Sequence, residues 1–209
     1  MELEAILAAR RTIRAFTPAI PKQADIEQIL RAGLLAPHAG YPPDAQGGPF
    51  RRFSVVTDGA LLARLDGLIQ QRASVLLEQY RSMQEGEEIQ GLMGLQAHIQ
   101  KVGMISQHGV LAPSGTSCYI VAAEVRCFPP VQQETLAHVL ENMWLQATAL
   151  GLGFRLISIT AEMVEDAEFC QLLDLPGNQF GINGCAIGYP RQPLPPYGPP
   201  DVNAATRWF

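Results

Sequence analysis

The densest group of chemically capable side chains lies near the start of the chain, where Arg10-Arg11-Thr12-Ile13-Arg14 sets three guanidinium groups within five residues. A guanidinium is a permanently charged planar fork whose N–H pairs match the oxygens of a phosphate or carboxylate. Arg10 and Arg14 stand four apart, so a helical turn here would set both on one side. Spacing alone leaves two readings open: an anion grip, or the solvated basic end of a helix.

Other reactive types are scattered. Cys118, Cys127, Cys170 and Cys185 form no Cys-x-x-Cys pair, which removes zinc-knuckle and thioredoxin-like arrangements; they are expected to be buried free thiols. His38, His98, His108 and His138 show no His-x-x-x-His or His-Glu-x-x-His spacing, so nothing supports a metal site. Walker A and Gly-x-Ser-x-Gly patterns are absent, and no acid–base dyad is evident to nominate catalytic residues.

Composition narrows the class further. The 209 residues carry a formal charge of −5, with 47% hydrophobic and 17% charged residues. An acidic chain has no basic field to hold nucleic acid or an anionic membrane surface. No apolar run is long enough to span a bilayer, and the acidic start Met1-Glu2-Leu3-Glu4 lacks the order of a signal peptide. A cytoplasmic location is expected, with one domain over residues 1–209 that ends in a proline-rich tail from about 189 to 209.

The elements that must position these side chains can be read from periodicity. Leu3, Ile6 and Leu7 share a face of a first helix, Glu2 to Ala9. A second helix runs from about Ala24 to Leu35, stopped by Ala36-Pro37. A turn-rich loop, His38 to Arg51, leads to a strand at Phe53 to Thr57. Helices follow from Ala60 to about Tyr80 and, after Glu85-Gly86-Glu87-Glu88, loosely through Ile89, Leu92, Met93 and Ile99. Cys118 to Ala123 reads as a buried strand. Gln132 to Leu150 is the clearest helix, apolar over more than one face and closed by Gly151, which suggests burial between layers or in a subunit interface. A strand at Phe154 to Ile159, a helix from Ala161 to Leu173 and a strand at Gly184 to Gly188 complete an α+β chain.

Three stretches resemble the FMN-dependent nitroreductase family. Arg10 to Phe16 with Leu35-Ala36-Pro37-His38-Ala39 is similar to that family's Arg-Arg-Ser-x-Arg and Ala-Pro-Ser-Ala. Glu141 to Gly153 is similar to its central helix and Gly-Leu-Gly exit, and Leu172 to Pro176 with Ala186 to Pro190 to its closing Leu-Pro and Gly-Tyr-Pro. The resemblance implies a three-layer sandwich, a central mixed and mostly antiparallel sheet flanked by helices, with FMN as cofactor. Its basic residues, here Arg10 and Arg14, would hold the FMN phosphate and the pyrimidine edge of the ring. Arg11 is expected to point elsewhere, although the family pattern lets it touch the ring. Matching positions extend the cofactor site to Thr12, Pro37, His38 and Ala39. The strand after the glycine turn would contribute Leu156, Ile157 and Ser158, with the Ser158 main-chain N–H donating to flavin N5. Arg207 would add a phosphate contact from the C-terminus.

The departures from the pattern concentrate in one loop. His38 stands for the family's serine, Tyr41 is nearest its asparagine, Phe50 replaces its tryptophan, and Gln46 is the one candidate amide. His38 either caps the Pro37 turn or faces the ring. This loop to Phe50, and the segment from about Met83 to His108, are expected to set substrate choice. The resemblance implies an NADH- or NADPH-dependent FMN oxidoreductase acting on a nitroaromatic or quinone-like acceptor, with the cofactor carrying the chemistry. Two alternatives remain: a specialised flavoenzyme with a dedicated substrate, such as a dehalogenase, and a non-catalytic flavin- or partner-binding protein. A homodimer with two flavin sites at the subunit boundary is expected, its central helices paired and its tails wrapping the neighbour.

Overall fold

The computed structural model describes residues 2–39, 49–85, 92–175 and 179–209. Tyr41, Gln46, the Gly86 to Glu88 break and Pro176 lie outside them. The centre is a four-stranded sheet of β1 (Arg51–Val56), β2 (Cys118–Val125), β3 (Gly153–Ile157) and β4 (Phe180–Gly188), in the order β1-β2-β4-β3. Every pairing between these strands is antiparallel. Among the described residues the one parallel contact is a bridge from Thr12 to Phe154 on the outer edge of β3.

Side-chain alternation explains why helices cover both faces. In β2, Tyr119, Val121 and Ala123 face one core, and Cys118, Ile120 and Ala122 face the other. In β4, Phe180, Ile182 and Ala186 join the first core, and Cys185 and Ile187 the second. Strands buried on both faces read as continuous apolar runs, as β2 does. The first core is roofed by α3 (Gly59–Glu85), α4 (Leu95–His108), a 3₁₀ segment (Ser158–Glu165) and α6 (Ala167–Leu172). The second is covered by α2 (Gln23–Leu34) and α5 (Gln132–Ala149). The layers are helix, sheet, helix, as the resemblance implies.

Several elements differ from their sequence reading. The first helix, α1 (Leu3–Ala9), ends before the arginine cluster: Arg10 is already extended, so no helical turn joins Arg10 to Arg14. Leu3 and Leu7 remain exposed instead of packing inward. β3 stops at Ile157, putting Ser158 and Ile159 in the 3₁₀ segment, while β4 starts four residues before Gly184. The helix expected over Ala161 to Leu173 is broken at Asp166, whose carboxylate accepts from Phe169 N at 2.8 Å and so starts α6 afresh. The broad apolar surface of α5 is used within the chain, against α2, α1 and the sheet; from Glu141 to Leu150 none of its residues is exposed. The tail also finds its own chain: Tyr197 N donates to Ala8 O at 2.8 Å and Arg191 N to Ala15 O at 3.0 Å. Beyond it, α7 (Val202–Ala205) and Arg207-Trp208-Phe209 stand exposed. Of the cysteines, Cys118, Cys170 and Cys185 are buried free thiols, whereas Cys127 is half-buried at the surface. Burial pushes the Cys118 thiol up to about 12, which keeps it protonated and inert.

One ionic contact fixes α2 against β1. Arg51 and Glu124 pair at 2.5 Å with both side chains essentially inaccessible, and Arg51 Nη1 donates to Gly33 O at 2.7 Å and Ala36 O at 3.0 Å. Gly33 lies in the last turn of α2 and its carbonyl also accepts from Ala36 N at 3.1 Å, so the guanidinium adds a charged donor to a helix end that the backbone only partly closes. Burial raises the Glu124 carboxyl against the pull of Arg51, which leaves the pair dependent on both partners. Removing the cation leaves a buried carboxylate without its partner and takes a donor from the carbonyls of Gly33 and Ala36. Arg51→Ala is expected to lose about 3–5 kcal/mol of unfolding free energy, read as a shift in the urea midpoint.

Candidate functional site

After α1 the chain runs extended along the open edge of β3. Ile13 N donates to Phe154 O at 3.0 Å, beside the Thr12–Phe154 bridge. The approach is possible because residue 153 is glycine: a Cβ there would meet Ile13 Cβ and Cγ1 at 2.8 Å. Upstream, Gly151 has φ +74° and turns the chain out of α5, its N–H donating to Thr148 O at 3.0 Å. The two glycines of the Gly-Leu-Gly exit thus have separate duties, one at a helix end and one at a close backbone contact.

This docking brings Arg14 to a cavity of about 640 Å³ between β3, the start of the 3₁₀ segment and the α3–α4 pair. Thr12, Arg14, Leu156, Ile157 and Ser158 line it, so five of the residues nominated from sequence share one wall. Arg155 shares that wall and escaped the sequence reading, because a lone arginine inside an apolar strand carries no motif. Its Nη1 donates to Val110 O at 3.2 Å. Burial lowers the pKa of Arg155, and the like charge of Arg14 lowers it further. Neither arginine forms an ion pair with a described residue. Asp66 opposes both effects, and the two guanidinium forks on one wall have the chemistry to receive an anion or the acceptor edge of a polar ring.

The opposite wall comes from α3 and α4, with Tyr80, His98, Lys101, Met104 and His108 among its residues. The segment from Met83 to His108 reaches the cavity through α4, which starts at Leu95, later than the loose helix read from Ile89. Asp66 of α3 ties the walls together: its carboxylate accepts from the N–H groups of Val110, Leu111 and Ala112 at 2.8–3.0 Å. It thereby holds the carbonyl that Arg155 uses.

The remaining nominated residues are elsewhere. Arg10 turns to α5, its Nε 3.1 Å from Glu141 Oε1 and its guanidinium 4.9 Å over Trp144, because an extended chain separates it from Arg14. Arg11 lies 4.0 Å over the ring of Tyr197 and donates to Pro195 O, held by the tail. Arg207 is exposed, clear of the cavity lining. Pro37, His38 and Ala39 follow α2 on the other side of the sheet: Ala39 N donates to Thr135 Oγ1 at 3.0 Å, and His38 lies edge-on to Phe50 and 3.9 Å from Cys127 Sγ. They belong to the β1 edge, and three strand spacings, roughly 14 Å, separate β1 from β3. Sequence motifs give residue types, whereas sheet order decides which of them meet.

Gly153→Ala tests the docking. The added methyl meets the branched carbon of Ile13, which cannot swing away, so the 10–14 segment must lift from β3. A loss of about 1–3 kcal/mol is expected in thermal or urea unfolding, whereas Gly67→Ala, in open space within α3, should be neutral or stabilising.

Comparison with known proteins bears on this geometry. No curated protein sequence matches the chain. Among solved structures it is similar to a nitroreductase with bound FMN from Bacteroides fragilis, at 19% identity and a TM-score of 0.69 over 100% of this chain and 98% of that one. A BluB-like flavoprotein from Clostridium difficile gives 15% and 0.69, over 100% and 99%. An iodotyrosine deiodinase bound to FMN and 3-iodo-L-tyrosine gives 16% and 0.66, over 96% of each chain. At such identities these likenesses show a shared fold. The Nitroreductase family model matches residues 7–189, and with it the cavity wall and the arginine segment, so the chain belongs to the nitroreductase family.

Proposed function

We propose that this protein is an FMN-dependent oxidoreductase that uses NADH or NADPH to reduce a small organic acceptor, such as a nitroaromatic or quinone-like compound. The observation that carries the reading is the pair of arginines, Arg14 and Arg155, on the β3 wall of the cavity, neither of them ion-paired with a described residue. Their forks suit the phosphate or the pyrimidine edge of FMN, and Leu156 and Ile157 offer an apolar bed for a planar ring. The cavity volume is in the range of small-molecule and cofactor sites. When bound, FMN supplies the redox chemistry; the protein supplies position and charge. Arg14 and Arg155 orient the cofactor, and Thr12 lines the wall beside them. Ser158 opens a 3₁₀ turn, so its N–H has no acceptor within that turn and is the proposed donor to flavin N5.

A dedicated-substrate flavoenzyme of the same fold is the second reading, favoured by the polar side chains that α4 sets on the facing wall. One set of spectra tests both against a non-catalytic role. Protein reconstituted with FMN should be yellow and bleach anaerobically with NADH or NADPH. Yellow protein that neither donor bleaches would remove the oxidoreductase reading and leave flavin binding. In fluorescence titration, Arg14→Ala and Arg155→Ala are each expected to weaken FMN binding about ten- to a hundredfold, since a hydrogen bond to a charged group is worth about 1.5–3 kcal/mol. Arg64→Ala, on an exposed pair with Glu168, should bind as the parent does.

We further propose a homodimer in which a second copy brings its His38 region to this cavity. In support, His38 and the cavity lie at opposite sheet edges, and Leu3, Leu7, Leu35, Trp208 and Phe209 expose apolar surface. An interface of that kind should bury more than about 2,000 Å². Light scattering at micromolar concentration should give twice the chain mass; a stable monomer would reject the assembly.

A further inference from the structure

The α4 wall carries more charge than a flavin site alone explains. His98, Lys101, Ile105 and His108 recur three or four residues apart, so they share one face of the helix, and all four line the cavity. α4 contains no aspartate or glutamate. Among the described residues that line the cavity are three basic side chains, Arg14, Lys101 and Arg155, and two imidazoles, against one carboxylate, Glu162. Glu162 is itself 3.4 Å from Arg72 Nη2. Such a concentration in a chain of net charge −5 runs against its overall composition.

The chemistry of the two walls also differs. The β3 wall offers planar forks, suited to bidentate acceptors. The α4 wall offers one ammonium, a compact point charge, and Lys101 forms no ion pair with a described residue. His98 is oriented by Tyr80, whose ring meets it edge-on at 5.1 Å and 69°. Beside the lysine, Met104 leaves 65% of its surface exposed, and Leu156 faces the cavity from β3. The combination is a cationic anchor next to a soft apolar slot.

We infer that the α4 wall is a substrate subsite for a planar organic acid, with Lys101 binding its carboxylate and Met104 and Ile105 lying against its apolar body. The inference rests on the reading that the β3 wall holds FMN, and it names the acceptor's class: an aromatic or conjugated carboxylate rather than a neutral compound. Lys101 acts here as a binding and specificity residue.

The test is calorimetric titration of FMN-loaded protein with 4-nitrobenzoate and with its neutral counterpart 4-nitrobenzamide. The parent should bind the acid at least about tenfold more tightly, the smaller end of what a hydrogen bond to a charged group contributes. Lys101→Met should remove that preference while leaving amide binding unchanged, and Lys101→Arg should keep most of it. Equal binding of the two probes by the parent, or a preference that survives in Lys101→Met, would overturn the assignment. Thermal melts of both variants verify that the fold is kept. A preparation that takes up no FMN, seen by its absorbance, would defeat the cofactor reading alone. The same two probes titrated into that protein then judge the α4 subsite by the same criterion.

Discussion

The close contact between Ile13 and Gly153 is the constraint on which the rest of the site depends. A backbone bond and a bridge lock residues 12–13 to the rim of β3, and only a residue without a Cβ at position 153 admits them. Arg14 is thereby held beside Arg155 despite the like charge of both. Mutual repulsion of two guanidinium groups is tolerable where the main chain, not the side chains, sets the distance. The result is a cavity wall that carries two guanidinium groups side by side.

A second arrangement joins the walls. Asp66 receives three backbone N–H donors from residues 110–112, and Gly109 precedes them with φ +76°, where a Cβ would lie 2.4 Å from Asp66 Oδ2. The same turn presents the Val110 carbonyl to Arg155. α3, the turn after α4 and β3 are thus linked through one buried carboxylate. At the far edge of the sheet, Arg51 and Glu124 do comparable work for α2. Both anchors spend their buried charge on hydrogen bonds to backbone groups, which is why charged side chains are tolerated in these cores.

Much of this was legible in residue types and periods. The two-sided apolar run of β2, the wide face of α5 and the Gly151 stop follow from local physics, because they depend on neighbours within a few residues. Thr12 and Arg14 of the arginine segment, and the strand read over Phe154 to Ile159, pointed to one wall of the site for the same reason. Their joint assignment to a cofactor came from the family pattern, whose order and spacing span most of the chain.

The tertiary structure decided what local physics cannot reach. Whether Arg10 and Arg14 act together depends on where α1 ends, and it ends one residue before the cluster, sending Arg10 to Glu141 and Trp144. Arg155 and Lys101 carry no motif; they become partners of Arg14 only because β3 lies at a sheet edge facing α4. His38 adjoins a family-like Ala-Pro motif, yet α2 delivers it to the opposite edge. By itself the sequence determined the elements, the two buried faces and the glycine turn, because those are set by short-range sterics and burial. Which charges meet across the cavity was left to strand order and helix termination, since both emerge from contacts between residues far apart in the chain.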